Sequence, residues 1–270
     1  MNSLLRILLS VISLPVFSRL YGRVMRLRRP RFLVRELIDF FKDLYKIEMD
    51  DYQGEAGDYA SLGEFFIRPF DPQKRPLKPR GDGIVSPADG VLSNVETIYE
   101  DRAVQVKGID YPVSKMLRRE LDFSRGWHVA TIYLSPYNYH RFHYPVSGKI
   151  TGYCHVRGRL FPVNSHGMTL IKKLFIRNER IVTRFESNGL PVFAVAVGAT
   201  FVGSIKMLFI DKIKRDGRWK ELDLEVEEQG EMGRFEMGST IVLVVPEELG
   251  KPAAEKIGQA IKVGETVIAF

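Results

Sequence analysis

Apolar residues change their rhythm along this chain, and the changes divide it. Near the start, Leu5, Leu8, Leu9 and Ile12 recur at helical spacing, with Arg6, Ser10 and Ser13 on another face. Beyond Pro15 the rhythm resumes as Phe17, Leu20, Tyr21 and Val24 against Arg19, Arg23 and Arg26. A third helical pattern covers residues 32–48, where Leu33, Leu37, Phe40, Phe41 and Leu44 return on the same face. Residues 49–80 are polar and turn-rich and end in the proline-laden stretch from Arg68 to Pro79, which reads as a linker or a wrapped arm. From Gly83 the texture becomes β-rich. Short runs at Gly83–Val85, Gly90–Leu92, His128–Leu134, Gly148–Ile150, Val192–Val197, Ile205–Ile210 and Thr240–Val245 are separated by Gly, Asn and Asp. The expectation is an α+β protein: a mainly antiparallel β body over residues 81–270, a linker or arm at 49–80, and a helical segment at 1–48.

Charge changes the picture at the N-terminus. The formal charge of +7 comes from 40 basic and 33 acidic residues. Residues 1–33 hold seven arginines and no acid, which accounts for the whole surplus. Such a segment suits an anionic membrane or a nucleic acid. Only 12 residues separate Arg6 from Arg19, whereas a spanning helix needs roughly 20 apolar ones. The stripes flanked by arginine therefore predict amphipathic helices lying in the membrane interface, with docking of a helix on its own domain as the alternative. The single cysteine, Cys154, excludes an internal disulfide and reads as a small core residue.

Three constellations offer chemistry. Met237-Gly238-Ser239-Thr240 opens into the apolar run Ile241–Val245. A glycine carbonyl next to a serine hydroxyl is open to an N-to-O acyl shift. β-Elimination would then break the chain and leave a keto group where Ser239 stood, provided a base is at hand. A lone Gly-Ser-Thr is more often a plain turn into a strand. Tyr139-His140-Arg141-Phe142-His143-Tyr144-Pro145 supplies two imidazoles suited to moving protons near neutral pH. With Asp89 the pair could also hold zinc, although no recognised ligand motif accompanies it. Ser86-Pro87-Ala88-Asp89-Gly90 places an acid in a tight turn, either an ordinary Asx turn or the member that orients a histidine in an Asp-His-Ser set. His128, His155 and His166 are scattered and read as structural. The glycines of Val197–Ile205 lack the strand-to-helix context of a nucleotide loop and read as close backbone packing.

In combination these segments resemble the phosphatidylserine decarboxylase family. They are Ser86–Gly90, Tyr139–Pro145, Leu160-Phe-Pro-Val-Asn164, Arg177-Asn-Glu-Arg180, Val197–Ser204 and Glu236–Thr240. Met237 stands where the family usually has Leu or Gly, a position the chemistry does not depend on, and the region Asn164–His166 is less family-like. The resemblance implies a self-cleaving proenzyme in which Asp89, His143 and Ser239 process the chain between Gly238 and Ser239. The products would be a β chain of residues 1–238 and an α chain of residues 239–270 that begins with a pyruvoyl group made from Ser239. It implies decarboxylation of phosphatidylserine to phosphatidylethanolamine through a Schiff base to that covalent cofactor, with His140 near the headgroup. It further implies a homodimer of αβ units, peripheral on the cytoplasmic face of a bacterial membrane, with no metal and no nucleic acid. A pyruvoyl decarboxylase of a soluble amino acid, a zinc hydrolase using His140, His143 and Asp89, and a non-catalytic membrane-binding β domain are the alternatives.

Overall fold

The computed structural model describes residues 22–199, 205–236 and 239–270. The Leu5–Ile12 stripe, the Phe17–Tyr21 part of the next, and Met237 and Gly238 of the expected cleavage site lie outside these residues. The described chain is α+β and dominated by antiparallel strands. Its strands, in order, are β1 Gly83–Val85, β2 Gly90–Ile98, β3 Ala103–Val106, β4 Ile109–Tyr111, β5 Trp127–Leu134, β6 Arg141–His143, β7 Gly148–Val156 and β8 Arg180–Ser187. There follow β9 Leu190–Val197, β10 Ile205–Met207, β11 Trp219–Val226, β12 Glu231–Phe235, β13 Ser239–Pro246, β14 Lys251–Pro252, β15 Ala260–Ile261 and β16 Thr266–Ala269.

The principal sheet has eight strands in the order β11-β7-β8-β9-β13-β5-β2-β15. β13 lies inside it, between β9 and β5, and it is buried on both faces. That explains its unbroken apolar sequence. Ile241, Leu243 and Val245 enter one core, and Val242 and Val244 enter the other, as the period-two alternation of a strand requires. Two smaller sheets, β10-β12-β6 and β1-β16-β14, contribute Phe142, Phe235, Ile84 and Ile268 to the first core. The second core is closed by short helices and the β3-β4 hairpin, with Met116, Phe175 and Tyr111.

Helix α1 spans Arg31–Tyr45 and α2 spans Leu62–Phe66. They share a separate apolar cluster that joins Val34, Ile38 and Phe41 to Leu62, Phe65 and Phe66. Residues 49–80 thus carry a helix of their own, and Tyr52 pairs with Phe70 across a β-bridge. The face of α1 that turns inward differs from the stripe the spacing suggests. Leu33, Phe40 and Leu44 are exposed, Phe40 by 65%, and Leu37 is half-buried. At about 100° per residue the stripe of four lies within about 60° of arc, rotated away from the buried face. α1 therefore has two apolar faces: one is buried in the cluster, and the other, apart from Leu37 at its margin, is exposed.

Candidate active site

Ser239 is the first residue of β13, paired with Leu134 at the end of β5. By strand alternation its side chain shares a face with Ile241 and Leu243, the face covered by the β10-β12-β6 sheet. The chain leaves the principal sheet after Leu134 and enters the smaller sheet at Arg141. It returns between Phe235 and Ser239. The two crossings are stitched by the Phe235 N–H donating to the His140 carbonyl at 2.8 Å. This junction gathers the chemistry-bearing residues.

Ser239 is fully buried, and its Oγ has no hydrogen-bond partner among the described residues. His140 is also fully buried. Its Nδ1–H donates to the Asn138 carbonyl at 2.8 Å, so Nε2 carries the lone pair, and that atom too has no partner. Phe66 of α2 lies on the His140 ring with centroids 3.9 Å apart. Burial drives the His140 pKa down to about 3; the Asn138 carbonyl opposes the shift and the Arg68 charge adds to it. The imidazole is neutral at physiological pH.

His143 ends β6, and its backbone N–H donates to the Pro87 carbonyl at 2.8 Å, which ties it to the turn carrying Asp89. Its Nδ1–H donates to the Gln229 carbonyl at 2.7 Å, and Nε2 accepts from the Tyr139 hydroxyl at 3.0 Å. Burial lowers its pKa, against the raising effects of the Gln229 carbonyl and the charges of Glu231 and Asp89. Asp89 is held elsewhere. Arg75 grips both its oxygens at 2.7 Å, and the Val263 N–H adds a bond at 2.8 Å. Arg75 in turn stacks on Phe70 at 4.0 Å, and Phe70 on Tyr139 at 3.6 Å.

The structure brings Asp89 and His143 to neighbouring backbone, but it does not join them by a hydrogen bond. The expected orienting role of Asp89 toward the imidazole is taken by the Gln229 carbonyl, and the lone pair of His143 is taken by Tyr139 rather than Ser239. Across the sheet, Ser239 lies opposite Leu134, and Asp89 precedes the start of β2 on the far side of β5. Two strand spacings set the backbones about 10 Å apart. Arg75, Tyr139 and Gln229 are participants that the sequence reading did not single out. Tyr139 was inside a motif already quoted, but nothing in the spacing marks a carbonyl in the left-handed region, where Gln229 sits at φ 66°.

A cleft of about 350 Å³ opens beside the junction, with Asp89, Arg68, Tyr52, Asn138, Lys46 and Lys262 among its walls. His140, His143 and Asp89 do not assemble as ligands: among the described residues no three His, Cys, Asp or Glu side chains are grouped to hold a metal ion. The other histidines have local tasks or none. His128 bridges Thr97 and the Gly250 carbonyl, His155 pairs with Glu179 at 2.7 Å, and His166 is exposed. Cys154 is buried in the second core, as its solitary occurrence suggests. Two motif segments prove architectural. Asn178 bonds the backbone of Phe161 and Gly198, and so staples Leu160–Asn164 to the glycine run that starts at Val197.

Known proteins match this sequence along most of its length. The family model for phosphatidylserine decarboxylase matches residues 62–269. Proteins named phosphatidylserine decarboxylase proenzyme are similar to the chain in Brevibacillus brevis, with 35% identity over 93% of this chain and 92% of the relative. The Anaeromyxobacter relative is 36% identical over 92% of each, and one from Escherichia coli O139:H28 is 34% identical over 87% of this chain and 80% of its own. The Gly-Ser step into a buried strand, the two histidines at the sheet junction and this extent of identity lead to one conclusion: the chain belongs to the phosphatidylserine decarboxylase family, whose members are carboxy-lyases.

Proposed function

We propose that this chain is a proenzyme that cuts itself between Gly238 and Ser239, and that the processed form decarboxylates phosphatidylserine to phosphatidylethanolamine at an anionic membrane surface. The observation that carries the reading is the Ser239 hydroxyl: fully buried, unpartnered, and following a glycine at the mouth of an interior strand. Leaving a buried hydroxyl unsatisfied costs about 1–3 kcal/mol, and buried polar groups are rarely left so. Such an atom is available for reaction because nothing holds its lone pairs.

The Ser239 Oγ adds to the Gly238 carbonyl as its proton passes to a base. Collapse breaks the Gly238–Ser239 C–N bond and gives an ester. Loss of the Ser239 Cα proton then expels the Gly238 carboxylate, and water releases ammonia to leave a ketone at the new N-terminus. Asp89, His143 and Ser239 form the processing set in this reading. Burial keeps His143 neutral and able to accept a proton, and the Asp89 charge favours the imidazolium that results. His140, with its free Nε2 lone pair, serves at the headgroup. The residues fit a pyruvoyl group: Ser239 Cα, the atom that would carry the ketone, begins a buried strand in a site covered from water, and no hydrogen bond among the described residues holds the Oγ that must leave. That group supplies an electron sink for the pair left when CO2 departs. The chain's own part is to bind the headgroup, exclude water so that the carboxylate is poorly solvated, and return a proton to the carbon that lost CO2.

The exposed Leu33, Phe40 and Leu44 on α1, adjoining the arginine-rich start, support peripheral attachment to the cytoplasmic face of a bacterial membrane. Among the described residues no helix is long and apolar enough to cross a membrane. The processed unit is an αβ pair, assembled as a homodimer in this reading. Intact mass of the purified chain tests the core of it. Two species are expected, the smaller beginning at residue 239 and lacking an amine, with Ser239→Ala a single inactive chain. A Ser239→Ala protein that still yields two fragments refutes the assignment.

A further inference from the structure

Arg68 and Arg180 are both wholly buried, and the fold satisfies them unequally. Arg180 donates to four carbonyls, those of Met116, Ile176, Asn178 and Lys115, at 2.8–3.1 Å. It is a staple. Arg68 reaches two carbonyls, that of Phe65 at 3.4 Å and that of Tyr137 at 2.9 Å, and the Tyr52 side chain, while its Nε–H has no partner among the described residues. No ion pair involves Arg68 among the described residues, and the residues outside them include no Asp or Glu. A guanidinium shut away from water without an opposite charge is costly. The aromatic rings of Tyr52 at 4.1 Å and Phe65 at 5.1 Å offset only part of that cost.

The position is informative. Arg68 lines the cleft that Asp89 also borders. Its charge acts on His140, and both side chains bond to the adjacent carbonyls of Tyr137 and Asn138. The acids nearest the inner wall are already answered, since Arg75 pairs with Asp89 and lies 3.8 Å from Asp51. Arg180 has no ion pair among the described residues either, but four carbonyls answer it; Arg68 borders the cleft with neither a counter-charge nor a full set of acceptors.

We infer that Arg68 anchors the phosphodiester of the substrate headgroup. The inference rests on the proposed decarboxylation. The headgroup offers two anions. A cation set against the carboxylate would stabilise charge that must leave as neutral CO2, and so would favour the reactant over the transition state. Set against the phosphodiester, whose charge does not change during the reaction, the same cation positions the substrate without that penalty. The planar fork of a guanidinium also matches a pair of phosphate oxygens. The phosphorus lies only a few bonds from the reacting carbon, in keeping with an anchor close to His140. Tyr52, whose ring covers the guanidinium, would form the outer wall of this subsite and move aside as the headgroup enters.

Two soluble substrates separate the sources of negative charge: glycerophosphoserine, and serine O-methyl ether, which keeps the amine and carboxylate but lacks phosphate. Each is assayed on the full-length processed enzyme, with mass spectrometry of the α chain recording maturation. The parent should prefer glycerophosphoserine by roughly tenfold to a hundredfold in kcat/KM, mainly through KM, and glycerol 3-phosphate should inhibit competitively. In Arg68→Met the preference should fall to about unity and the glycerol 3-phosphate inhibition should vanish, with kcat/KM falling far more on glycerophosphoserine than on the ether. Should that variant fail to mature, Arg68→Lys keeps the charge without the fork and should mature with most of the preference lost. A preserved preference, an equal fall on both substrates, or failure of both variants to mature overturns the inference. A parent chain that never acquires the N-terminal ketone overturns the proposed function instead.

Discussion

Acidification should unfold this chain partly through His140. The imidazole has an ordinary pKa of 6.5 when exposed and about 3 in the fold, chiefly because it is buried. Between those values the unfolded chain binds a proton that the folded chain refuses. Stability from this residue is therefore complete above pH 6.5 and is lost as pH falls toward 3. The step from pH 6.5 to pH 5 covers about 1.5 units at about 1.4 kcal/mol each, so His140 alone should remove about 2 kcal/mol. The comparison is His140→Gln against its parent, both carrying Ser239→Ala so that each remains one continuous chain. Urea unfolding at pH 7 and pH 5, followed by fluorescence of Trp127 and Trp219, gives the pH dependence of each. His143 titrates in the same direction in both chains and cancels. The glutamine chain should lose about 2 kcal/mol less across the interval, whatever its absolute stability. Equal pH slopes would mean that His140 is not a buried neutral imidazole, and the proton chemistry assigned to its Nε2 would fall with it.

Three further outcomes follow from contacts at the junction and on α1. Arg75→Met strips Asp89 of both charged bonds in a site where each side chain is only 13% exposed. It should cost about 3 kcal/mol in urea unfolding and slow self-cleavage on gels more than tenfold, with partial recovery in Arg75→Lys. Tyr139→Phe keeps the stack on Phe70 but removes the donor to His143 Nε2. Since that bond favours the neutral ring, its loss should move the acid limb of the self-cleavage pH profile upward by about half a unit; an unmoved profile removes His143 from the base role. Leu33, Phe40 and Leu44 changed together to serine should weaken sedimentation with anionic liposomes roughly a hundredfold, at about 1 kcal/mol for each half-exposed side chain, and unchanged binding would put the membrane contact elsewhere.

What could be read from the sequence was what a single strand or turn encodes. The run Ile241–Val245 announced a strand buried on both faces, and β13 is that strand. β11 went unread because it is a sheet edge. Among the described strands it pairs with β7 alone, so Glu221, Asp223 and Glu225 face water and even Leu224 is exposed; the alternation of Leu222, Leu224 and Val226 with acids is there, but it is short and set in a polar stretch. The forecast run Ile205–Ile210 stops as a strand at Met207, where the chain turns and leaves Leu208 half exposed. On α1, five apolar positions were taken for one face. Two adjacent faces lie side by side, because Val34, Ile38 and Phe41 are buried in the core while Leu33, Phe40 and Leu44 are exposed.

The site was legible in its residue types and not in its bonds, and the reason is physical. Asp89, His140, His143 and Ser239 come from three segments at the junction of two sheets, and the decisive partners of Asp89 and His143 are set by the fold rather than by neighbours in sequence. Arg75 is 14 positions from Asp89, and Gln229 is 86 from His143. At such separations no helical or strand periodicity brings two side chains together; only the tertiary fold does. A sequence can declare that a histidine and an aspartate are present, but a charge goes to whichever opposite charge the fold delivers first. Here a guanidinium arrived on the arm of residues 49–80 and took Asp89, while a backbone carbonyl took the imidazole N–H. Two acceptors, Ser239 Oγ and His140 Nε2, are left at the sheet junction without a partner among the described residues. Stable folds seldom leave two such atoms buried. Their coincidence at one crossing, next to a Gly-Ser peptide, is the mark of a place where local stability was traded for reactivity.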